Sequence, residues 1–141
     1  MKILCLGGGP AGLYFAISMK LRDPSHDVTV LERNGAGDTF GWGVVLSDDA
    51  LSRLQKNDPS SAQAIRDHFI YWDDIAVIRD GHRQVSGGHG FAGIGRRQLL
   101  ILLQERARDL GVDLQFRTEF QTAEHYRRDY DLVVACDGLN S

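Results

Sequence analysis

The chain has 141 residues, enough for one ordinary domain with its own hydrophobic core. Hydrophobic residues make up 43% and charged residues 25% of the sequence, as in globular proteins, and the formal net charge is −3. Acids and bases alternate along the chain, so its charge gives no reason to expect nucleic acid or an anionic membrane as a partner. No segment approaches the roughly 20 apolar residues of a membrane span.

The two cysteines do not indicate a disulfide framework. Cys5 and Cys136 each lie within an apolar run that predicts a strand, and we expect both to be buried thiols. This usage fits a reducing compartment, so we expect a cytoplasmic protein. The five histidines lack the spacing of metal ligands, and no metal is expected.

The first part of the chain predicts a strand, a glycine turn, a helix and a second strand. Residues 2–6 form a short apolar run, residues 7–12 are rich in glycine, and residues 13–21 are apolar almost all round. Residues 27–33 are apolar enough for an interior parallel strand. The pattern is that of a right-handed βαβ unit.

Further elements follow without a linker or a repeat. They are a helix capped by Ser47, a helix from Pro59 to about Phe69, a hairpin turning at Asp80-Gly81, a glycine-rich loop over 87–95, a helix over 96–110 and strands within 112–116 and 130–136. The sequence therefore predicts an α/β, Rossmann-like FAD/NAD(P)-binding fold, with a parallel sheet and an inserted β-hairpin. We expect one domain over residues 1–141.

The glycine turn carries the pattern G-x-G-x-x-G at Gly7, Gly9 and Gly12. The first glycine permits the tight strand-to-helix turn, the second lets a pyrophosphate approach the backbone, and the third lets helix and strand pack closely. The helix that follows presents free N–H groups and a partial positive charge to the phosphates. The strand before the motif and the helix after it predict a dinucleotide site.

Glu32 ends the second predicted strand, twenty residues beyond Gly12. A carboxylate at this place is typical of an acceptor for a ribose hydroxyl, the alternative being a solvated charge. It repels a 2′-phosphate, although the neighbouring Arg33 can accept one. Arg96 and Arg97 begin a helix, where cations oppose the helix dipole unless an anion lies nearby. They are candidates for a second phosphate contact or a solvated basic pair.

These motifs resemble the FAD-dependent aromatic hydroxylases, the single-component flavoprotein monooxygenases. The resemblance lies in GGGPAGL with Glu32, the Arg-x-x-Leu helix start at Arg96, and DLVVACDG with Asp137. Within this family, GDTFGWGVVLSDDAL, YWDDI and GHGFAG are most similar to salicylyl-CoA 5-hydroxylase and 2-aminobenzoyl-CoA monooxygenase. The tryptophan hydroxylases of violacein synthesis share GWGVVL and remain an alternative.

The resemblance implies an enzyme in which bound FAD, reduced by NAD(P)H, uses oxygen to hydroxylate a small aromatic substrate such as a CoA thioester. It implies no catalytic side chain in this chain. The residues it assigns to cofactor binding are Gly7, Gly9, Pro10, Ala11, Gly12, Glu32, Arg33, Arg96 and Asp137. The family's later Gly-Asp motif and its substrate domain would lie beyond Ser141, so we expect a truncated chain that is inactive alone. A non-enzymatic dinucleotide-binding domain is the second hypothesis.

Overall fold

The computed structural model describes residues 1–138, apart from the side chains of Asp48 and Ala123. In chain order its elements are β1 (Lys2–Leu6), α1 (Pro10–Arg22), β2 (Asp27–Glu32), β3 (Gly43–Val45), α2 (Asp48–Asn57), α3 (Pro59–Arg66), β4 (Ile70–Trp72), β5 (Ile75–Arg79), β6 (His82–Ser86), β7 (Phe91–Gly95), α4 (Arg96–Asp109), β8 (Asp113–Phe116), α5 (Ala123–Tyr126) and β9 (Leu132–Ala135). They form two compact units. One comprises Met1–Phe40 and the chain from Arg97 onward, and the other Gly41–Arg96.

The first unit contains a four-stranded parallel sheet in the order β8-β2-β1-β9. In the register of its central pair, Cys5 lies beside Val30. Strand β1 is buried from Ile3 to Leu6, as expected for a parallel strand covered on both faces. Helix α1 packs against β1 and β2 and buries Leu13, Ala16 and Ile17. The core of this unit therefore surrounds the strand that leads into the glycine turn.

The sheet confirms the predicted α/β fold and its parallel βαβ unit, but α1 begins earlier than expected. Its first residue is Pro10, whereas the apolar run predicted a start at Leu13. Proline suits the first position of a helix, because its fixed φ is helical and its missing N–H would have no partner there. Half of the predicted glycine turn is thus the first turn of the helix.

The second unit combines two small antiparallel sheets with a pair of helices. Strands β3, β7 and β4 form one sheet, and β5 with β6 forms the predicted hairpin. Asp80 and Gly81 have φ of 49° and 77°, the left-handed conformations that a two-residue hairpin turn requires. Helices α2 and α3 meet at Asp58, which is only 1% exposed and accepts a 2.6 Å hydrogen bond from the Ser61 hydroxyl.

The segment 87–95, which we expected to be a loop, contains strand β7. Ala92 and Ile94 alternate with Gly93 and Gly95, so the chain has the period of a strand, but two of the three positions on one face lack a side chain. The glycines hid this alternation in the sequence. Among the helices of residues 1–138, none has the length and apolar character needed to cross a membrane.

Candidate functional site

The carboxyl ends of three parallel strands meet at one edge of the sheet in the first unit. Strand β1 lies between β2 and β9, so the chain leaves it to one side and returns on the other. Open α/β sheets bind ligands in the crevice at such a switch point. The glycine turn follows β1, Glu32 ends β2, and Asp137 follows β9. The fold therefore brings these three predicted features to one place.

Gly7 occupies a position that no other residue can take without strain. Its φ is +113°, and a Cβ at Gly7 would lie 2.5 Å from the Cys136 carbonyl oxygen and 2.9 Å from Cα of Asp137. Its N–H donates a 2.8 Å hydrogen bond to the Leu31 carbonyl. The turn is thus pressed between the ends of the two neighbouring strands, which fixes its shape.

Gly12 and Gly9 differ in what surrounds them. A Cβ at Gly12 would overlap the Gly7 carbonyl oxygen, so this glycine is needed for close packing of α1 on the turn. A Cβ at Gly9 would meet nothing within 4 Å. Gly9 has φ −73° and ψ 178°, which any residue adopts. The absence of a side chain at Gly9 leaves open space over the backbone rather than relieving strain, as a ligand-facing glycine should.

The start of α1 faces this open space without a side-chain cap. Gly9 is the N-cap and offers no side-chain oxygen, and the first turn contains no acidic residue. Pro10 has no N–H, whereas Ala11 and Gly12 bring backbone N–H groups to the helix terminus. Uncapped N–H groups and the helix dipole together favour an anion at this position.

The Glu32 carboxylate accepts three hydrogen bonds from the chain itself. Oε2 accepts from the Gly8 N–H at 2.8 Å, and Oε1 accepts from the backbone N–H and the side-chain amide of Asn34, each at 2.8 Å. Glu32 is half-buried beside the glycine turn. It is therefore not the free solvated charge that was its alternative interpretation, and it ties β2 to the turn.

Gly8 and Asn34 are two site residues that the sequence analysis missed. A Cβ at Gly8 would lie 2.8 Å from Cβ of Glu32, so Gly8 allows the glutamate to pack on the turn. The available indication was that the middle one of three consecutive residues is also glycine, which G-x-G-x-x-G does not require. Asn34, two residues after a strand-end acid, is a residue type that often bonds to nearby groups through its side chain.

The predicted arginines lie in different surroundings. Arg33 is exposed next to Glu32. Arg96, the first residue of α4, is half-buried within the second unit and donates its N–H to the Trp42 carbonyl at 3.1 Å. Arg97 belongs to the first unit, where its guanidinium lies beside Gly37. The two adjacent arginines therefore do not share one environment, as their helical spacing predicts.

The two cysteines are free thiols, and only Cys5 is fully buried. Burial raises the pKa of Cys5 to about 12, with a smaller contribution from the nearby Cys136. Burial, and then the Asp137 carboxylate, raise the pKa of Cys136. Cys136 is half-buried, contrary to expectation, because it follows the end of β9 at the sheet edge. Both thiols remain protonated at neutral pH and act as small apolar groups.

Asp73 has a structural contact in the second unit. Its Oδ1 accepts from the Gly90 N–H at 3.1 Å, and its carbonyl accepts from the His89 N–H at 3.2 Å. It thereby fastens the glycine loop that precedes β7. A short acidic residue beside a glycine-rich segment commonly forms such loop contacts, which composition alone does not reveal.

Three curated proteins that are similar in sequence to this chain are all monooxygenases. The chain resembles them over 99–100% of its length, which confirms the predicted resemblance to aromatic monooxygenases. It is 47% identical over 141 residues to salicyloyl-CoA 5-hydroxylase of Streptomyces sp, covering all of this chain and 27% of that protein. No protein-family model matches the chain.

Two other curated relatives are more distant. A 3-hydroxy-4-methyl-anthranilyl-[aryl-carrier protein] 5-monooxygenase of Streptosporangium sibiricum is 35% identical over the whole chain, which spans 39% of it. Protodeoxyviolaceinate monooxygenase of Chromobacterium violaceum is 32% identical over 99% of the chain, or 38% of that protein. The chain thus spans between about a quarter and two fifths of the length of the relatives it matches.

Solved structures confirm the fold. The tetrameric form of 2-methyl-3-hydroxypyridine-5-carboxylic acid oxygenase superposes with a TM-score of 0.70 at 25% identity, covering 84% of this chain and 32% of that one. CtdE in complex with FAD superposes with a TM-score of 0.75 at 22% identity, covering 100% of this chain and 39% of that one. The predicted Rossmann-like, FAD-binding class of fold is therefore correct.

Proposed function

We propose that the chain is the FAD-binding part of a monooxygenase that hydroxylates an aromatic acyl thioester with NAD(P)H and oxygen. The observation that carries the proposal is the open face at Gly9, at the sheet's switch point, in a chain similar over its full length to monooxygenases. CtdE, which shares the fold, is described in complex with FAD. We assign the nucleotide site to the first unit of the wider FAD-binding domain.

The residues present fit a dinucleotide. The N–H groups of Ala11 and Gly12 and the dipole of α1 would hold the pyrophosphate over Gly9. Oε2 of Glu32 would accept from the adenosine ribose, since a carboxylate has about four acceptor positions and the chain fills three of them. Asp137, beside the turn, would contact the cofactor further along, and Arg33 and Arg96 are cofactor-binding residues by the resemblance alone.

The chemistry would come from the bound flavin, which takes a hydride from NAD(P)H and delivers one atom of dioxygen to the ring. In balance, an aromatic C–H, dioxygen, NAD(P)H and a proton become a phenol, water and NAD(P)⁺. None of this chain's own side chains needs to be a nucleophile. Their work is to bind and orient the cofactor and to keep its reactive edge at a fixed place.

The names of two relatives narrow the substrate class. Salicyloyl-CoA and the anthranilyl group on an aryl-carrier protein are both benzoyl thioesters with an oxygen or nitrogen donor at C2, and both relatives act at C5. C5 is para to C2, and an electron-donating group at C2 raises the electron density at C5. We therefore assign this chain's enzyme a benzoyl thioester with an electron-donating group beside the carbonyl as its substrate.

The two free thiols support our assignment of the protein to the cytoplasm.

The test is flavin titration of the purified chain, followed by oxygen-dependent NAD(P)H oxidation by the chain extended to the full length of its relatives. Salicyloyl-CoA and 2-aminobenzoyl-CoA are compared with the free acids and with tryptophan. We expect the chain to bind flavin, and we expect the thioesters to stimulate NAD(P)H oxidation by the extended protein. Stimulation by tryptophan alone would replace the thioester class with the tryptophan-hydroxylase alternative. Flavin binding without stimulation by any aromatic compound would favour the non-enzymatic dinucleotide-binding domain, and no flavin binding would reject the cofactor assignment.

A further inference from the structure

We propose that Asn34 is a positioning residue that makes the Glu32 carboxylate accept one ribose hydroxyl and no more. The inference deepens the proposed function, because it rests on nucleotide binding at the glycine turn. Nothing in the sequence motif assigns a part to this residue. Its evidence is the set of contacts around a single carboxylate, counted against what a carboxylate can accept.

The orientation of Glu32 is fixed from both sides. Asn34 donates its backbone N–H and its amide Nδ2–H to Oε1, each at 2.8 Å, and the Gly8 N–H donates to Oε2 at 2.8 Å. The Gly8 N–H cannot follow the carboxylate if it rotates, because Gly8 lies in a buried turn. The two donors of Asn34 and the one of Gly8 therefore hold the carboxylate plane in one orientation.

Asn34 is itself anchored. Its carbonyl accepts from the Arg117 N–H at 3.1 Å, and the Glu32 carbonyl accepts from the Thr118 N–H at 3.0 Å. Both donors follow the end of β8, the strand that pairs with β2 in register at Glu32 and Phe116. The amide of Asn34 is thus positioned by the neighbouring strand, and its contact with Glu32 does not depend on a ligand.

The count of acceptor positions gives the functional consequence. A carboxylate offers about four positions, two on each oxygen. Asn34 fills both on Oε1 and Gly8 fills one on Oε2, which leaves one on Oε2. Glu32 can therefore accept either the 2′- or the 3′-hydroxyl of a ribose. Without the Asn34 amide, a second position opens on Oε1, and the carboxylate can accept both hydroxyls together.

The experiment measures binding of ADP, 2′-deoxy-ADP and 3′-deoxy-ADP to the purified protein by calorimetric titration. In the unsubstituted protein, loss of one hydroxyl should weaken binding by about tenfold or more, the scale of a charge-assisted hydrogen bond, and loss of the other by less than about twofold. Asn34→Ala should bring the two losses within about threefold of each other. A purely structural role for Asn34 would lower all three affinities alike and leave this difference unchanged.

Gln115→Ala is the matched control. The Gln115 amide also donates to a carboxylate two residues away, at 2.6 Å to Asp113, but on the exposed surface of β8. This variant should keep the difference between the two deoxy analogues. Asn34→Asp keeps the shape of the side chain but removes the amide donor. This variant should lose the difference between the two deoxy analogues. Circular dichroism confirms folding of each variant.

The outcomes separate the two proposals. Equal dependence on both hydroxyls in the unsubstituted protein, or an unchanged difference in Asn34→Ala, would overturn the role of Asn34 while nucleotide binding stands. Failure of ADP and of FAD to bind the unsubstituted protein would reject the nucleotide site itself, and the inference with it.

Discussion

Gly9→Val is the substitution that best separates binding from folding at the glycine turn. Gly9 has ordinary extended backbone angles, and a Cβ there meets nothing within 4 Å. The valine side chain should therefore fit the folded chain at a cost of about 1 kcal/mol or less, arising from the less favourable N-cap. It would nevertheless occupy the space in front of the α1 terminus, where the pyrophosphate is expected to lie.

The loss of affinity can be worked from the contacts that valine would block. Two backbone N–H groups at the helix start would each donate to a phosphate oxygen, and each such bond is worth about 1.5–3 kcal/mol. Losing both corresponds to roughly 3–6 kcal/mol, or a dissociation constant about 10²- to 10⁴-fold larger. Displacement of the pyrophosphate as a whole would add to this, so flavin retention should fall below detection.

The assay combines flavin fluorescence titration with thermal denaturation followed by circular dichroism. Gly95→Val is the matched control, because its Cβ also meets nothing within 4 Å but lies on β7 in the second unit. Gly12→Val is the opposite control, since its side chain would overlap the Gly7 carbonyl and should unfold the domain. Native flavin affinity in a folded Gly9→Val protein would refute the assignment of the open face to a phosphate.

Four further predictions concern other parts of the chain. Burial raises the pKa of Cys5 to about 12, so this thiol stays protonated in the folded chain at pH values where it ionises in the unfolded chain. The free energy of unfolding therefore falls as the pH rises from about 9 to 12. In Cys5→Ala the free energy of unfolding, measured by chemical denaturation, should fall less steeply at high pH. By pH 10.5 the difference from the unsubstituted protein should reach about 2 kcal/mol, and an unchanged slope would contradict this. Asp58→Ala should lower the free energy of unfolding by about 1–3 kcal/mol, since it removes a buried acceptor between α2 and α3; a change under about 0.5 kcal/mol in urea denaturation would deny its importance. Arg96→Ala should weaken flavin binding by about tenfold and Arg97→Ala by less, and the reverse order in titration would exchange their roles. Glu32→Gln, although isosteric, should lower stability by about 1–3 kcal/mol, because one of three converging donors meets an NH₂ group; a neutral effect on the melting curve would argue against the contacts seen at Glu32.

The parallel part of the fold was predictable because its apolar runs are continuous and because proline and charged residues mark the ends of its elements. Pro24 follows the end of α1 and Glu32 ends β2, and the predicted hairpin turn at Asp80-Gly81 has the required left-handed angles. The antiparallel sheet was not predictable in the same way. Three of the five positions in β7 are glycine or buried alanine, so the hydrophobic period that predicts a strand is too weak to detect.

The candidate site shows a similar division. The motif spacing predicted where Gly7, Gly9 and Gly12 lie, because G-x-G-x-x-G fixes their places between a strand and a helix. The three glycines differ in their surroundings, which the sequence does not reveal. Contacts inside the protein require glycine at Gly7 and Gly12, whereas no such contact requires it at Gly9. Sequence spacing assigns all three to one motif, but only the surroundings show which position is open to a ligand.

The position of Glu32 could be predicted from the sequence, but its hydrogen bonds could not. Its position at the end of β2 is a matter of chain spacing, and the sequence predicted it. Its contacts with Gly8 and Asn34 depend on how the turn folds back, and they commit three of its acceptor positions before any ligand arrives. The same bonds that orient the carboxylate therefore limit what it can accept. The proposed nucleotide site would thus be pre-organised by the chain itself, and binding would require no rearrangement of the acid and no ordering of a mobile side chain.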